Sequence, residues 1–184
     1  MGISHRLFSL IRRIQYVTRS SLAFPYASGA VFHVLAQEIL NWKYESQLTS
    51  PNIDLPVALD LTALVESYRL AALILLYRRA DLQNPLLPSL ASRSLGLIRR
   101  MPCGSAAEAS LTYPLFLNGA ELDNEVEIEE CLLSLRATRE RSKFENIDNV
   151  EKVLEGVWKP RPNGRGRKNW EEVLKEWGWS ISLS

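Results

Sequence analysis

The feature that most constrains the fold is a long apolar segment, LTALVESYRLAALILLYRR at residues 61–79. Its apolar residues recur every three or four positions, which places them on one face of an α-helix. A second apolar stripe makes the helix apolar on all sides over residues 70–77. Such a helix must be covered by other elements, and it is shorter than the roughly 18 apolar residues of a membrane span. We expect the central helix of a bundle at about residues 56–81, closed at its C-terminal end by the charges of Arg78 and Arg79.

The other apolar patterns in the chain also have helical spacing, and none alternates as a half-buried strand does. With 184 residues and 46% hydrophobic content, the chain is long enough for one substantial core and short for two. We predict an all-α protein, an irregular multi-helix bundle in which residues 1–184 form a single domain. Outside the central helix, the residues expected on inner faces are Leu7, Leu10, Ile11, Ile14, Val31, Leu35, Ile39, Trp42, Ile128, Cys131, Leu132, Leu135, Ile147, Val150, Val153, Leu154, Val157, Trp158, Trp170, Val173, Leu174 and Trp177.

Two pairs of residues have the spacing of a capping box, in which the side chain at a helix start and the side chain three residues later each bond the other's backbone. They are Ser105 with Glu108, and Asn169 with Glu172. Pro114 lies in the helix predicted after the first pair and should bend it, because proline has no backbone N–H to donate. Gly119 in the same segment permits the close approach of another backbone.

The charges are balanced overall and unevenly distributed. The chain has 22 basic and 21 acidic side chains, a formal charge of +1, which gives no general attraction to nucleic acid or to an anionic membrane. Residues 1–100 hold 11 basic and 6 acidic side chains, and residues 101–184 hold 11 and 15. The first part is therefore basic and the second part acidic.

Cysteine and histidine are too few and too far apart to predict a metal or catalytic site. Cys103 and Cys131 have no C-x-x-C spacing, so we expect two buried thiols, a reducing compartment and no zinc site. His5 and His33 have no second ligand or acid pair beside them. The acids of residues 123–130 form no D-D-x-x-D-like array that would hold magnesium in a helical enzyme. We predict no catalytic residue, no metal ligand and no cofactor.

The first predicted helix is basic. Residues 1–37 contain no Asp or Glu, and four arginines lie opposite an apolar stripe. We interpret this as a docked helix with a solvated basic face. The same pattern is typical of a mitochondrial presequence or a membrane-surface helix, so the alternative function is a stand-alone helical interaction module at such a surface. The arginines are Arg6, Arg12, Arg13 and Arg19.

A basic loop, KPRPNGRGRK at residues 159–168, separates the last two predicted helices. Its cations among Pro and Gly make it a candidate nuclear import signal or phosphate contact, and a solvated loop is the simpler interpretation. The R-G-R at residues 165–167 matches the start of a minor-groove R-G-R-P hook, but a lysine stands in place of its proline, so we interpret the match as chance. The five cations are Lys159, Arg161, Arg165, Arg167 and Lys168.

Four segments together resemble the regulatory domain, the fungal-specific transcription factor domain, that follows the DNA-binding head in fungal zinc binuclear cluster transcription factors. They are GISHRLFSLIRRI at residues 2–14, SYRLAALILLYRR at 67–79, TYPLFLNGAELDN at 112–124, and a tail from FENIDNVEKVLEGVW at 144–158 to NWEEVLKEWGW at 169–179. The resemblance covers nearly the whole chain. Its most specific part is TYPLFLNGAELDN combined with the spaced Trp residues of the tail.

The resemblance implies an all-helical, non-enzymatic regulatory domain in the nucleus, which modulates transcription by RNA polymerase II. The implied partners are proteins of the transcription machinery, a second copy in a homodimer, or a small-molecule effector. Family members bind DNA through six cysteines that hold two zinc ions, and Cys103 and Cys131 cannot supply them. We therefore expect a chain without the zinc cluster and without sequence-specific DNA binding of its own. It would be a fragment, a gene model that lacks its start, or a relative without the DNA-binding head.

Overall fold

The computed structural model describes residues 5–20, 28–43, 54–81, 84–142, 146–160 and 167–179. These residues form eight α-helices, one short 3₁₀-helix and no β-strand, so the predicted all-α fold is confirmed. An isolated bridge joins Pro160 to Arg167. The helices are α1 (His5–Ser20), α2 (Ser28–Asn41), α3 (Leu55–Ala80), α4 (Leu86–Ile98), α5 (Thr112–Gly119), α6 (Glu125–Ser142), α7 (Asn146–Trp158) and α8 (Trp170–Trp177), and the 3₁₀-helix is Glu108–Ser110.

Helix α3 lies at the centre of the bundle. It packs against α1, α2, α4 and α5, and every residue from Leu70 to Leu76 is buried. Its ends, Leu55 and Ala80, lie one residue from the predicted bounds of 56–81. The prediction of a central apolar helix is confirmed, because neighbouring helices cover the part that is apolar on all sides.

Helices α1 and α2 pack against α3 and against each other. The described apolar residues of α1 are buried in the core, so this face makes contacts within the bundle. In α2 the predicted inner face is confirmed except at Val31, which is 38% exposed. No helix in the described part of the chain is long and apolar enough to cross a membrane. The buried residues of the two faces are Leu7, Leu10, Ile11, Ile14, Leu35, Ile39 and Trp42.

The connection between α4 and α5 differs from the prediction. The hydroxyl of Ser105 donates to the carboxylate of Asp60 on α3 at 2.7 Å, and no capping box with Glu108 forms. The next α-helix begins only at Thr112. Pro114 therefore lies in the first helical turn, where a backbone N–H would have no helical partner anyway, and it does not bend the helix. The predicted kink was wrong because the helix starts later than its sequence pattern indicated.

Helices α6 and α7 cover α5, and α8 packs against α7. The predicted capping box of α8 is confirmed: Asn169 accepts from the backbone of Glu172, and the Glu172 side chain accepts from the backbone of Asn169. Trp177 is 41% exposed, but its ring lies beside Gly156 of α7, so it is at the edge of the predicted inner face and not fully buried in it. The inner face of α7 is confirmed, and its fully buried residues are Ile147, Val150, Val153, Leu154 and Val157.

The two cysteines have different environments. Cys131 is buried and Cys103 is exposed, so the prediction of two buried thiols was wrong for Cys103. That residue precedes Gly104, whose φ of 86° belongs to a tight turn after α4. Turns of this kind run over the protein surface, where water solvates their backbone groups.

Candidate functional site

A buried ion pair interrupts the apolar core where the end of α3 meets the segment after α5. Arg78 pairs with Glu121, and only 5% and 11% of the two side chains are exposed. Arg78 follows Ile74 by four residues, so helical geometry places it on the buried side of α3. Two buried charges lose hydration, and their attraction offsets that loss only when the geometry is good. The ion pair therefore joins α5 to α3 at a considerable desolvation cost.

Two aromatic side chains lie against this ion pair. The ring of Trp170, the first residue of α8, is centred 5.5 Å from the guanidinium carbon of Arg78, which is a cation–π contact. Phe116 of α5 meets Trp170 edge to face, with ring centroids 5.3 Å apart and planes at 67°. We call Arg78, Glu121, Phe116 and Trp170 the Arg78 cluster. It is the point at which α3, α5 and α8 meet.

Two N–H groups of the Arg78 cluster are buried and have no hydrogen-bond partner among the described residues. They are Nη2 of Arg78 and Nε1 of Trp170. A buried donor that lacks an acceptor costs about 1–3 kcal/mol, and the great majority of buried polar groups have a partner. Both donors therefore add an energetic cost at the same junction.

Burial also changes the acid–base chemistry of the Arg78 cluster. It raises the pKa of Glu121 above the ordinary value, because the loss of hydration outweighs the attraction and the hydrogen bond of Arg78. The carboxylate is therefore harder to ionise in the folded protein than in water. The ion pair is a costly structural contact and contributes less stability than its charges alone would indicate.

Gly119 ends α5 at a crowded position. A Cβ atom at this glycine would lie 2.9 Å from the sulfur of Cys131 and 3.1 Å from a methyl group of Leu154. Its carbonyl accepts a hydrogen bond from Nε1 of Trp158 at 2.9 Å. The close neighbours are side chains of α6 and α7, whereas the sequence led us to expect a backbone. The TYPLFLNGAELDN segment thus needs glycine here so that α5 can approach both helices.

Two polar side chains of α5 make contacts with other helices inside the bundle. Asn118 is buried and donates from Nδ2 to the hydroxyl of Ser94 on α4. Tyr113 stacks on Tyr68 of α3, with ring centroids 5.5 Å apart, and Tyr68 donates its hydroxyl to the carbonyl of Ser110 at 2.8 Å. Burial raises the pKa of Tyr68 to about 12, and burial with the nearby Tyr68 raises the pKa of Tyr113 as well. These groups position α5 and are poor candidates for acid–base chemistry near neutral pH.

The basic loop is described at its two ends. Arg167 donates to the carbonyl of Leu122 at 2.8 Å, and Lys168 pairs with Glu176 of α8 at 2.6 Å. Lys159 is exposed just after α7. Arg167 therefore joins the segment before α8 to the loop after α5, whereas Lys168 makes an ion pair within the α8 segment. Outside the described residues lie Arg161 and Arg165.

The described residues contain no group of three or more His, Cys, Asp or Glu side chains that could hold a metal ion. His33 is exposed on α2 and lines an open groove of about 640 Å³ together with Trp42 and Glu38. The carboxylate of Glu38 pairs with Arg13 at 2.5 Å. Since that carboxylate is engaged, the groove does not supply His33 with an acidic partner from this residue.

A family model described as the fungal specific transcription factor domain matches residues 1–184. The chain belongs to this family. No curated protein and no solved structure matches it. The family gives this fungal transcription factor domain a regulatory role in transcription, and its all-α bundle is the fold that the resemblance implied.

Sequence reasoning on this fungal transcription factor domain missed the Arg78 cluster. It placed the charges of Arg78 and Arg79 together at the C-terminal end of α3 and assigned no buried partner to either. Arg79 is indeed 37% exposed and pairs with Glu171 of α8 at 2.5 Å, but Arg78 is buried. The sequence did contain one indication that Arg78 is buried: it follows Ile74 by four residues and so lies on the same apolar face of the helix. Its partner Glu121 could not be identified, because the fold of the segment after α5 was not predictable from spacing.

Proposed function

We propose that this fungal transcription factor domain is a single, non-enzymatic regulatory domain over residues 1–184 that modulates transcription by RNA polymerase II. The observation that carries the proposal is the family match over all 184 residues. A hydrophobic core that includes residues of all eight α-helices supports the assignment of one domain.

We propose that the domain works in the nucleus. The family supports this location, since transcription factors act on nuclear DNA. The cations of the basic loop are the candidate import signal. In the structure Arg167 and Lys168 contact Leu122 and Glu176, so the candidate signal depends most on Lys159, Arg161 and Arg165.

The domain by itself should not read a DNA sequence. Five cations that met phosphates would give a salt slope of at most about −4.5, and phosphate contacts carry no sequence information. Two of these cations already have acceptors within the chain. A titration at about 150 mM salt tests this, and nanomolar affinity for one sequence over scrambled competitor would contradict it.

Regulation then depends on contacts with other molecules. We propose protein partners of the transcription machinery or a second copy of the domain, with a small-molecule effector as a further option. Trp177 and Trp179 support a protein contact, because they are 41% and 40% exposed and their ring centroids are 5.1 Å apart. Exposed aromatic residues are enriched where proteins bind one another.

A tethered reporter assay tests the proposed function. The full chain is fused to an unrelated DNA-binding module with its own nuclear import signal, and transcription of a reporter with the matching DNA site is measured in a fungal host. We expect the fusion to change reporter transcription several-fold relative to the module alone, because a regulatory domain acts wherever it is brought to a promoter. A nuclear, folded fusion that leaves the reporter unchanged would refute the proposal.

A further inference from the structure

Helix α8 contains both of its own caps. At the start, Asn169 and Glu172 form the capping box. At the end, Gly178 adopts a left-handed conformation with φ of 64°, and the backbone N–H of Trp179 donates to the carbonyl of Leu174 at 2.9 Å. These bonds satisfy terminal backbone groups without help from other helices. The helix would therefore keep its caps if it left the bundle.

The contact of α8 with the bundle is small. Val173 is the one buried residue of the helix. It lies against Gly156 of α7, beside the ring of the largely exposed Trp177. Trp170, Leu174 and the acids of the first turn are partly buried. A short helix with so little buried apolar area separates from a protein more readily than the core helices do.

The surface beneath α8 has hydrogen-bonding capacity that α8 does not use. In the described part of the chain Arg78 Nη2 is buried without an acceptor, and the indole that covers Arg78 brings a second donor without one, Trp170 Nε1. When α8 departs, water can reach the Arg78 and Glu121 charges and both donors. Docking of α8 therefore opposes hydration of three side chains, those of Arg78, Glu121 and Trp170.

We propose that α8 is a displaceable helix and that the surface it occupies binds an amphipathic helix of a protein partner. We call this surface, formed by Arg78, Arg79, Phe116 and Gly156, the α8-binding surface. Its ligand would carry an acid in the first turn for Arg79, as Glu171 does, and a small branched residue against Gly156, as Val173 does. Over Phe116 it would place an aromatic residue that carries a hydrogen-bond acceptor. Arg78 Nη2, which has no acceptor among the described residues, would donate to that group.

The identity of that partner as a transcription protein rests on the proposed function, but displacement of α8 does not. The probe is a fluorescently labelled peptide of residues 167–179, the chain's own α8 with its caps, and the receptor is the full chain. We expect saturable binding by fluorescence anisotropy, because the peptide competes with the attached helix for one surface. Absence of saturable binding would refute the proposal. If the peptide binds but the tethered domain leaves reporter transcription unchanged, the proposed function is refuted and the displaceable helix is not.

A reversible disulfide supplies the matched control. A Cβ at residue 156 would lie 2.9 Å from a γ-carbon of Val173. In a cysteine at residue 173 the sulfur would take the place of that γ-carbon, and in a disulfide the sulfur of one cysteine lies about 3 Å from the Cβ of the other. The variant Gly156→Cys with Val173→Cys is made in a Cys103→Ser background. When oxidised it should bind the peptide at least about tenfold more weakly than when reduced. Equal binding in both states would show that the peptide uses another surface.

Hydrogen exchange on the unmodified chain gives a second, independent measurement. Amides of residues 174–177 should exchange at least about 100-fold faster than those of residues 70–76, because opening of α8 does not require unfolding of α3. Equal protection of the two segments would contradict a displaceable helix, whatever the disulfide variant does.

Discussion

Arg78 and Glu121 form an ion pair that is almost removed from water, with 5% and 11% of their side chains exposed. Arg78 belongs to α3 and Glu121 to the segment that follows α5, so the ion pair fixes these two segments to each other. Loss of one partner would leave a buried charge without compensation, which costs more than the intact pair contributes. The pair is therefore more important for the position of α5 and α8 than for net stability.

Arg78→Met and Glu121→Leu should each lower the free energy of unfolding by about 3–5 kcal/mol, because each leaves one buried ionisable group unpaired. The double variant should lose less than the sum of the two losses. Denaturant titration of the four proteins measures these values. Additive losses would show that the two side chains do not interact.

The exposed pair of Arg13 and Glu38 is the control for this prediction. Its side chains are 51% and 38% exposed, so water solvates either charge when the other is removed. Arg13→Ala should therefore change the free energy of unfolding by less than about 1 kcal/mol. If Arg13→Ala lowered the free energy of unfolding as much as Arg78→Met does, burial of the ion pair would not explain the loss in Arg78→Met.

The two thiols should react at different rates. Cys103 is exposed, whereas burial raises the pKa of Cys131 to about 12, and the thiolate is the reactive form. A thiol reagent added to the native protein should modify one sulfur promptly and the second only after denaturant is added. The Cys103→Ser variant should lack the prompt phase. Prompt modification of two thiols per chain would show that Cys131 is accessible.

The sequence predicted the structure best where apolar residues repeat at helical spacing over several turns. The apolar stripes of α1, α3 and α7 predicted buried faces because each is repeated over several turns, and the Asn169–Glu172 box predicted a helix start. Single residues were less predictable. Ser105 has the same capping spacing as Asn169, but Asp60 from a distant helix binds its hydroxyl. Glu121 could not be assigned to Arg78, because 43 residues separate them and local spacing does not report such contacts.

Gly119→Ala should destabilise the protein by about 1–3 kcal/mol, because the new methyl group would overlap Cys131 and Leu154 in a packed core. Gly96→Ala is the control. Gly96 lies within α4 with no atom near the position of a Cβ, so alanine there should stabilise the helix by about 0.5–1 kcal/mol. Thermal or denaturant unfolding compares the two, and equal effects would contradict the crowding at Gly119.

Tyr68 should make stability fall at alkaline pH. Its pKa is 10.0 in the reference state and about 12 in the folded protein, so the unfolded chain loses the phenolic proton first. The stability that depends on this proton is complete below about pH 10 and is lost as pH rises toward about 12. Tyr68→Phe should flatten the fall in the free energy of unfolding over this range. An unchanged slope would show that other groups cause it.

The central claim is that a bundle folded around α3 carries the regulatory activity, and two aspartate substitutions in one helix test it most directly. Ile74 is 1% exposed and Leu59 is 56% exposed. Ile74→Asp buries a charge at a cost of several kcal/mol, comparable with the roughly 5–15 kcal/mol that stabilises a domain, whereas Leu59→Asp places its charge in water. In the tethered reporter assay, with melting followed on the purified chains, Leu59→Asp should keep both the cooperative melt and the change in transcription, and Ile74→Asp should lose both. An Ile74→Asp chain that melts and regulates like the unmodified one would contradict the account.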